Sequence, residues 1–186
     1  LSGLQATTFH DYCNGLLKAA GREFKVIDDP DLWIFLRRRI HELRLNYFLR
    51  AADLGKFLTD LLDFLRRCQD ELVTPEQYAA YVERLARGEV RMPRVLRSKD
   101  AAALADEEVV ARCREIAGVF ATVERLLREK NFGTFGHMIT GAFDLLQNDP
   151  AELTAARRRA RFILVDEFQD ANFAQVKILQ MLAGED

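Results

Sequence analysis

The segment RFILVDEFQD (Arg161–Asp170) carries the residues of this chain that are best suited to chemistry. Asp166 and Glu167 follow four apolar residues, and Gln169 comes two positions later. The Asp166 carboxylate can hold Mg²⁺, usually through water, because Mg²⁺ keeps most of its hydration shell. Glu167 can orient and deprotonate a water molecule that attacks a γ-phosphate, while Gln169 is a polar probe for that phosphate. These residue types suit a nucleotide site, in which Asp166 and Glu167 would bind the cofactor and Glu167 and Gln169 would act in catalysis.

The four apolar residues before the acids, Phe162–Val165, predict a strand. Such a run is typical of a parallel strand buried on both faces, and ligands of open α/β sheets bind beyond the carboxyl ends of such strands. A buried strand needs a partner for its backbone groups, and LQATTF (residues 4–9) is the other strand candidate. We therefore expect both ends of the chain to share one sheet. A plain buried strand with a polar end is the alternative explanation of an apolar run that ends in Asp-Glu. The run alone therefore does not establish a nucleotide site.

The remaining sequence is mainly helical in pattern. The predicted helices cover FHDYCNGLLKAAG, DDPDLWIFLRRRIHEL, LGKFLTDLLDFLRRCQDEL and TPEQYAAYVERLARG, followed by residues 106–130, 134–147 and 151–159. Thr74, Pro75 and Gln77 form the signature of a capped helix start. EFKVI (residues 23–27) is a short possible strand. The fold class that follows is a mainly α chain, in which a helical middle is inserted between two strands of an α/β domain.

Composition sets the broad class of the protein. The chain has 186 residues, which fits one or two domains, with a net charge of -2 and 49% hydrophobic residues. No apolar run approaches the roughly 20 residues of a membrane span, and the N-terminus has no secretory pattern. We therefore expect a cytoplasmic protein. Cys13, Cys68 and Cys113 are odd in number and far apart, and they predict reduced thiols.

A basic segment, defined here as residues 91–99 (RMPRVLRSK), stands out against the balanced overall charge. It carries Arg91, Arg94, Arg97 and Lys99 and contains no acidic residue. Such a patch can contact phosphates of a nucleic acid. The plainer alternative is a solvated loop. Both interpretations stay open at this point.

The whole segment LVDEFQDANFAQ is more specific than its acids alone. It resembles motif II, the Walker B element, of UvrD/Rep/PcrA-type superfamily 1 DNA helicases, in which the pattern is V-D-E-[FY]-Q-D-T-N-x-x-Q. Ala171 replaces the usual Thr, while Asn172 and Gln175 fit the pattern. The resemblance implies the same roles for Asp166 and Glu167 that their chemistry indicates.

Two further stretches are similar to the same family. Thr8, Phe9 and His10 in TTFHDYC look like its T-F-H element, which touches single-stranded DNA. Phe9 is equally well explained as a core residue. The stretch from Gly133 to Glu167 resembles the family's lead-in to motif II. In that stretch Gly133, Gly136 and His137 stand where acids are common in the family, so this chain departs from the pattern at these three positions.

The resemblance implies a domain arrangement and an activity. Residues 1–21 and 131–186 would belong to the RecA-like domain 1A, and residues 22–130 to the helical accessory subdomain 1B inserted into it. The parent would be an ATP-dependent DNA helicase, moving 3′ to 5′, that uses ATP and Mg²⁺ and binds single-stranded and junction DNA at the nucleoid. The phosphate loop G-x-x-x-x-G-K-[ST] is missing from this sequence, so we expect no tight ATP binding and no activity from this chain alone. The alternative is a DNA- or protein-binding module without activity of its own.

Overall fold

The computed structural model describes residues 6–48, 54–93 and 104–184. The chain is mostly helical and contains a small sheet of two strands. The α-helices are α1 (Phe9–Ala19), α2 (Asp29–Arg38), α3 (Leu54–Asp70), α4 (Pro75–Ala86), α5 (Asp106–Glu129), α6 (Phe135–Asn148), α7 (Pro150–Arg159) and α8 (Phe173–Ala183). The strands are β1 (Lys25–Val26) and β2 (Phe132–Gly133), and 3₁₀ turns cover Ile40–Leu43 and Phe168–Asp170.

The helix boundaries confirm the capping patterns of the sequence. Thr74 accepts the Gln77 amide through its hydroxyl at 3.3 Å, and the Gln77 side chain accepts the Thr74 amide at 2.9 Å. These two bonds satisfy N–H groups that the first turn of α4 would otherwise leave unpaired. Every helix predicted from the sequence is present, and α8 is an additional helix.

The sheet differs from the predicted one. β1 and β2 run parallel, with Lys25 opposite Phe132 and Val26 opposite Gly133. The short strand predicted in EFKVI is thereby confirmed. The prediction of a strand in residues 4–9 is wrong for its described part, because residues 6–8 are irregular and Phe9 already begins α1.

The predicted strand Phe162–Val165 is also wrong for this chain. The segment is not part of a ladder, and Phe162 and Leu164 are 92% and 94% exposed. Ile163 is only 38% exposed, so the apolar side chains alternate between solvent and partial cover. Burial of a strand on both faces requires neighbouring strands and covering helices. Within the described residues the chain supplies no strand beside this segment, so Phe162 and Leu164 stay in solvent.

The first of two compact units combines both ends of the chain. It comprises residues 1–29, 66–72 and 131–186, and it contains the sheet. Its core is formed by α1, α6, α7 and α8, with Cys13, Ala142 and Ile178 completely buried. Burial of each large apolar side chain stabilises such a core by about 1.5–3 kcal/mol. The core therefore fixes the helices that flank the acidic segment.

The second unit comprises residues 30–65 and 73–130. α4 packs against α5, and Phe64 lies edge-on to Tyr78 and to the buried Phe120. The spacing of the apolar residues in α3 predicts one buried stripe, and all of its members in this unit are buried: Phe57, Leu58, Leu61, Leu62 and Leu65. Trp33 is half-buried and donates its indole N–H to the Gly55 carbonyl at 3.4 Å. Its apolar neighbours at helical spacing predict a packing residue, and this partly buried environment agrees with that prediction.

Candidate functional site

The DEFQD turn, residues 166–170, presents the predicted acidic groups to solvent. Asp166, Glu167 and Gln169 are all exposed. The Glu167 carbonyl accepts the Asp170 amide at 2.9 Å, and the Phe168 carbonyl accepts the Ala171 amide at 3.1 Å. These two backbone bonds close the 3₁₀ turn behind the acids. The backbone of the turn is therefore fixed by hydrogen bonds, while its carboxylates are exposed to solvent.

Glu167 adopts a backbone conformation that is uncommon for its residue type. Its φ and ψ are 50° and 40°, in the left-handed region. Such residues cost about 1–3 kcal/mol and cluster at functional sites. The Asp166 carboxylate accepts the Glu167 amide at 3.0 Å, and the Gln169 side-chain amide donates to the Glu167 carboxylate. Asp166 thus holds the backbone of Glu167, while Gln169 orients its carboxylate.

The donor set of this turn fits a magnesium ion. Asp166 offers a hard carboxylate oxygen, which Mg²⁺ prefers. One of its oxygens accepts the Glu167 amide, and no hydrogen bond to the other oxygen occurs within the described residues. Mg²⁺ is commonly held by one or two carboxylates together with substrate phosphates and water. An exposed single carboxylate suits that mode and does not suit a closed cage of protein ligands.

The residues after the turn continue into α8. The Asn172 side chain accepts the Gln175 amide at 2.9 Å, and the Gln175 side chain accepts the Asn172 amide at 3.1 Å. The sequence signal for this reciprocal cap is the spacing of Asn172 and Gln175, three positions apart at the start of a helix. Because Ala174 and Ile178 of α8 are buried in the core of the first unit, the cap fixes the C-terminal side of the turn.

The residues of the T-F-H element lie at the start of α1. Thr8 is the N-cap, and its hydroxyl accepts the Asp11 amide at 3.1 Å. Phe9 is half-buried and packs against the core of the first unit. His10 lies edge-on to the half-exposed ring of Phe135 in α6, with 5.8 Å between the ring centroids. Thr8 and His10 therefore keep polar atoms near the surface, whereas Phe9 is held partly by packing.

The basic segment lies largely outside the described residues. Arg91 is exposed in the second unit, at the end of the described range 54–93. Arg94, Arg97 and Lys99 lie outside the described residues. The T-F-H element and the DEFQD turn belong to the first unit. The structure therefore brings the two motifs from the chain ends onto one core.

The end of α3 carries site residues that sequence reasoning missed. The Gln69 side chain accepts the Thr134 hydroxyl at 3.1 Å and donates to His137 Nδ1 at 3.1 Å. Asp70 accepts the side-chain amide of Asn172 at 2.6 Å. Two consecutive residues thus reach the starts of α6 and α8. The only sequence signal for Asp70 was an acid in the last turn of a helix, where the helix dipole disfavours negative charge.

Two departures from the family pattern, Gly133 and Gly136, have a packing reason. A Cβ atom added at Gly136 would lie 1.9 Å from Oε1 of Gln69, and one added at Gly133 would lie 2.4 Å from the Phe24 ring. Contacts under 3.0 Å are essentially never seen for real Cβ atoms. In this chain, acids at these positions would displace Gln69 or Phe24.

Other features add no second site in the described part of the chain. No group of three or more His, Cys, Asp or Glu residues there could hold a metal ion. Cys13, Cys68 and Cys113 are free thiols, and burial raises the pKa of the Cys13 thiol to about 12. None of the described helices is both long and apolar enough to cross a membrane.

Comparison with known proteins places these motifs in a family. Residues 1–186 match the model of the UvrD/REP helicase N-terminal domain. The chain is 26% identical over 175 residues to a probable DNA helicase II homolog of Mycoplasma genitalium, which covers 94% of the chain and 22% of that protein. It is 38% identical over 73 residues to the ATP-dependent DNA helicase UvrD1 of Mycobacterium tuberculosis, covering 39% of the chain and 10% of the relative. A putative ATP-dependent DNA helicase of Bacillus subtilis, YjcD, is 34% identical over 71 residues, 38% of the chain and 9% of that protein.

The matched regions thus span about a tenth to a fifth of the length of these relatives. The family model covers the whole chain, including both motifs at its ends. The chain belongs to the UvrD/REP helicase N-terminal domain family.

Proposed function

We propose that this chain is a segment of an ATP-dependent DNA helicase and that the DEFQD turn is the acidic half of its ATP site. The observation that carries the proposal is the geometry of Glu167, which is exposed, left-handed and oriented by both Asp166 and Gln169. The relatives named as ATP-dependent DNA helicases support it. The parent protein works in the cytoplasm on nucleoid DNA, moves 3′ to 5′ and serves repair, replication or recombination.

The chemistry assigned to the turn follows from its donors. Asp166 would hold Mg²⁺, and the bound ion would neutralise charge on the phosphates of ATP. Glu167 accepts a proton from the attacking water at a carboxylate oxygen. Gln169 keeps that carboxylate oriented and lies beside it to sense the γ-phosphate. The phosphate loop that would hold ATP is missing from this sequence, so the chain by itself does not hydrolyse ATP.

The DNA contacts are assigned to two parts of the chain. The path of the single strand is lined by Thr8, Phe9 and His10. The Phe9 ring can stack on a DNA base only at the expense of its contacts with the core. The basic segment contacts duplex phosphates. We assign residues 1–21 and 131–186 to domain 1A and residues 22–130 to the inserted subdomain 1B. The grouping of both chain ends in one compact unit supports this arrangement.

The test is ATP hydrolysis by the full-length protein that contains this chain. Glu167→Gln removes the general base and keeps the size of the side chain, so we expect kcat to fall by about 10²–10⁴-fold. The affinity for a fluorescent ATP analogue should stay within a few-fold of wild type, because the Asp166 carboxylate is unchanged. Glu107→Gln is the matched control, since Glu107 is an exposed carboxylate in α5 of the second unit.

A Glu167→Gln protein that hydrolyses ATP within two-fold of wild type would contradict the assignment. An equal loss of kcat in the Glu107→Gln control would mean that the effect is not specific to the turn.

A further inference from the structure

The last turn of α3 contains a carboxylate in an unfavourable place. Asp70 is the final residue of the helix, where unsatisfied carbonyl groups make the surroundings negative. A negative side chain there needs a compensating partner. Asp70 is half-buried, and its Oδ1 accepts the side-chain amide of Asn172 at 2.6 Å. Hydrogen bonds to an ionised acceptor are stronger than neutral ones.

Asn172 has two roles at once. Its Oδ1 accepts the Gln175 amide and caps α8, while its Nδ2 donates to Asp70. The bond to Asp70 therefore fixes which side-chain atom of Asn172 faces the helix. It joins residues 102 positions apart in the sequence.

In the part of the chain that the structure describes, no hydrogen bond joins the DEFQD turn to another element. Among the described residues, the hydrogen bonds of residues 166–171 stay within that segment. The turn ends at Asp170, two positions before Asn172, and the Ala171 amide donates to the Phe168 carbonyl between them. On its C-terminal side, the position of the turn is thus set by the cap of α8 and by the Asp70 bond.

We propose that Asp70 is a positioning residue of the ATP site, which acts through Asn172 to hold the Glu167 carboxylate in its reactive place. The inference rests on the proposed function of the DEFQD turn. Asp70 touches neither ATP nor the attacking water. Its neighbour Gln69 holds the start of α6 in the same way, so the end of α3 fixes two helices of the same core.

The kinetic test uses the full-length protein. Asp70→Ala removes the acceptor, and Asn172→Asp keeps a cap but sets a second carboxylate against Asp70. A misplacement of about 1 Å can lower an enzymatic rate by about 100-fold. We therefore expect both variants to lower DNA-stimulated kcat by roughly 10- to 100-fold, with KM for ATP changed less than about three-fold, because Asp166 still holds the metal.

Two further variants separate positioning from general damage. Asp70→Asn keeps an acceptor oxygen and should lower kcat less than Asp70→Ala does. The double variant D70N/N172D restores the bond with donor and acceptor exchanged, and it should recover kcat to within about three-fold of wild type. Asp60→Ala is the control, since Asp60 is an exposed acid elsewhere in α3. A kcat for Asp70→Ala within two-fold of wild type would overturn the proposal. So would a D70N/N172D double variant whose kcat is no higher than that of Asn172→Asp alone.

Hydrogen exchange gives a second readout that does not depend on ATP hydrolysis. In the full-length protein, Asp70→Ala should speed exchange of the Asp170 and Ala171 amides by about ten-fold or more, because the turn loses its outside anchor. Unchanged exchange would overturn the positioning role. If the wild-type protein hydrolysed no ATP, the proposed function would fail, and the exchange rates would still decide whether Asp70 holds the turn.

Discussion

The close approach of Phe24 to the backbone of β2 allows one substitution to be evaluated in detail. A Cβ added at Gly133 would lie 2.4, 2.5 and 2.9 Å from three atoms of the Phe24 ring. Carbon atoms in contact are normally about 3.5–4.0 Å apart. Gly133→Ala therefore produces an overlap of more than 1 Å with a rigid ring.

The β2 backbone cannot move away from the Phe24 ring without weakening its hydrogen bonds to β1. β1 and β2 are joined by the Lys25 amide on the Asn131 carbonyl at 2.8 Å and by the Ile27 amide on the Gly133 carbonyl at 2.9 Å. Overpacking costs about 1–3 kcal/mol, and a weakened backbone bond costs about 1 kcal/mol more. Alanine also lowers the conformational entropy of the unfolded chain, and this stabilises the folded state by about 0.4–1 kcal/mol. We expect the free energy of unfolding to fall by about 2 kcal/mol.

The assay is urea unfolding of this chain followed by far-ultraviolet circular dichroism. Gly15→Ala is the matched control, because Gly15 lies inside α1 of the same unit with nothing within 4 Å of its added Cβ. There the better helix propensity of alanine should raise the free energy of unfolding by about 0.5–1 kcal/mol. The same chemical change should therefore have opposite signs at the two positions.

Replacing Phe24 with leucine should remove most of the Gly133→Ala penalty, since the two groups are in contact. An unfolding midpoint for Gly133→Ala at or above that of wild type would contradict the predicted clash with Phe24. A penalty that stays the same in the Phe24→Leu background would show that the ring is not its cause.

Three further predictions concern other parts of the chain. Gly136→Ala should lower the free energy of unfolding by about 1 kcal/mol, because Gln69 loses its two hydrogen bonds, and it should be neutral or stabilising in a Gln69→Ala background. A thiol reagent at pH 8 should modify only the half-exposed Cys113 in the folded chain and all three cysteines in urea. The reason is that Cys13 is buried and its pKa is raised to about 12. Rapid labelling of Cys13 without denaturant would contradict this prediction. The chain should bind a labelled duplex with a 3′ tail with steep salt dependence in fluorescence anisotropy, and Arg94→Glu should weaken binding; affinity that ignores salt would count against phosphate contacts.

The local features of this fold could be predicted from the sequence. Thr74 and Gln77 lie within one turn of each other, and their reciprocal bonds depend on little else. The stripe on α3 is similar, because periodic apolar residues bury themselves on whichever partner is present. The acids of the DEFQD turn were identified for the same reason, since their chemistry lies in consecutive residues.

The remaining features depend on partners that are distant in the sequence. Phe162–Val165 has the composition of a buried strand, but burial depends on neighbouring strands and not on the segment itself. The bond between Asp70 and Asn172 and the space that Gly136 leaves for Gln69 arise only when α3 meets α6 and α8. The sequence contains these residues but does not show that they are neighbours.

The central claim is best tested by DNA unwinding with the full-length protein. Two labelled duplexes, one with a 3′ single-stranded tail and one with a 5′ tail, would be incubated with the protein, ATP and Mg²⁺. We expect the wild-type protein to separate the 3′-tailed duplex and to separate little of the 5′-tailed one, and we expect no separation by the Glu167→Gln variant. ATP-independent separation, or unwinding by Glu167→Gln at the wild-type rate, would contradict the claim that the DEFQD turn drives an ATP-dependent helicase.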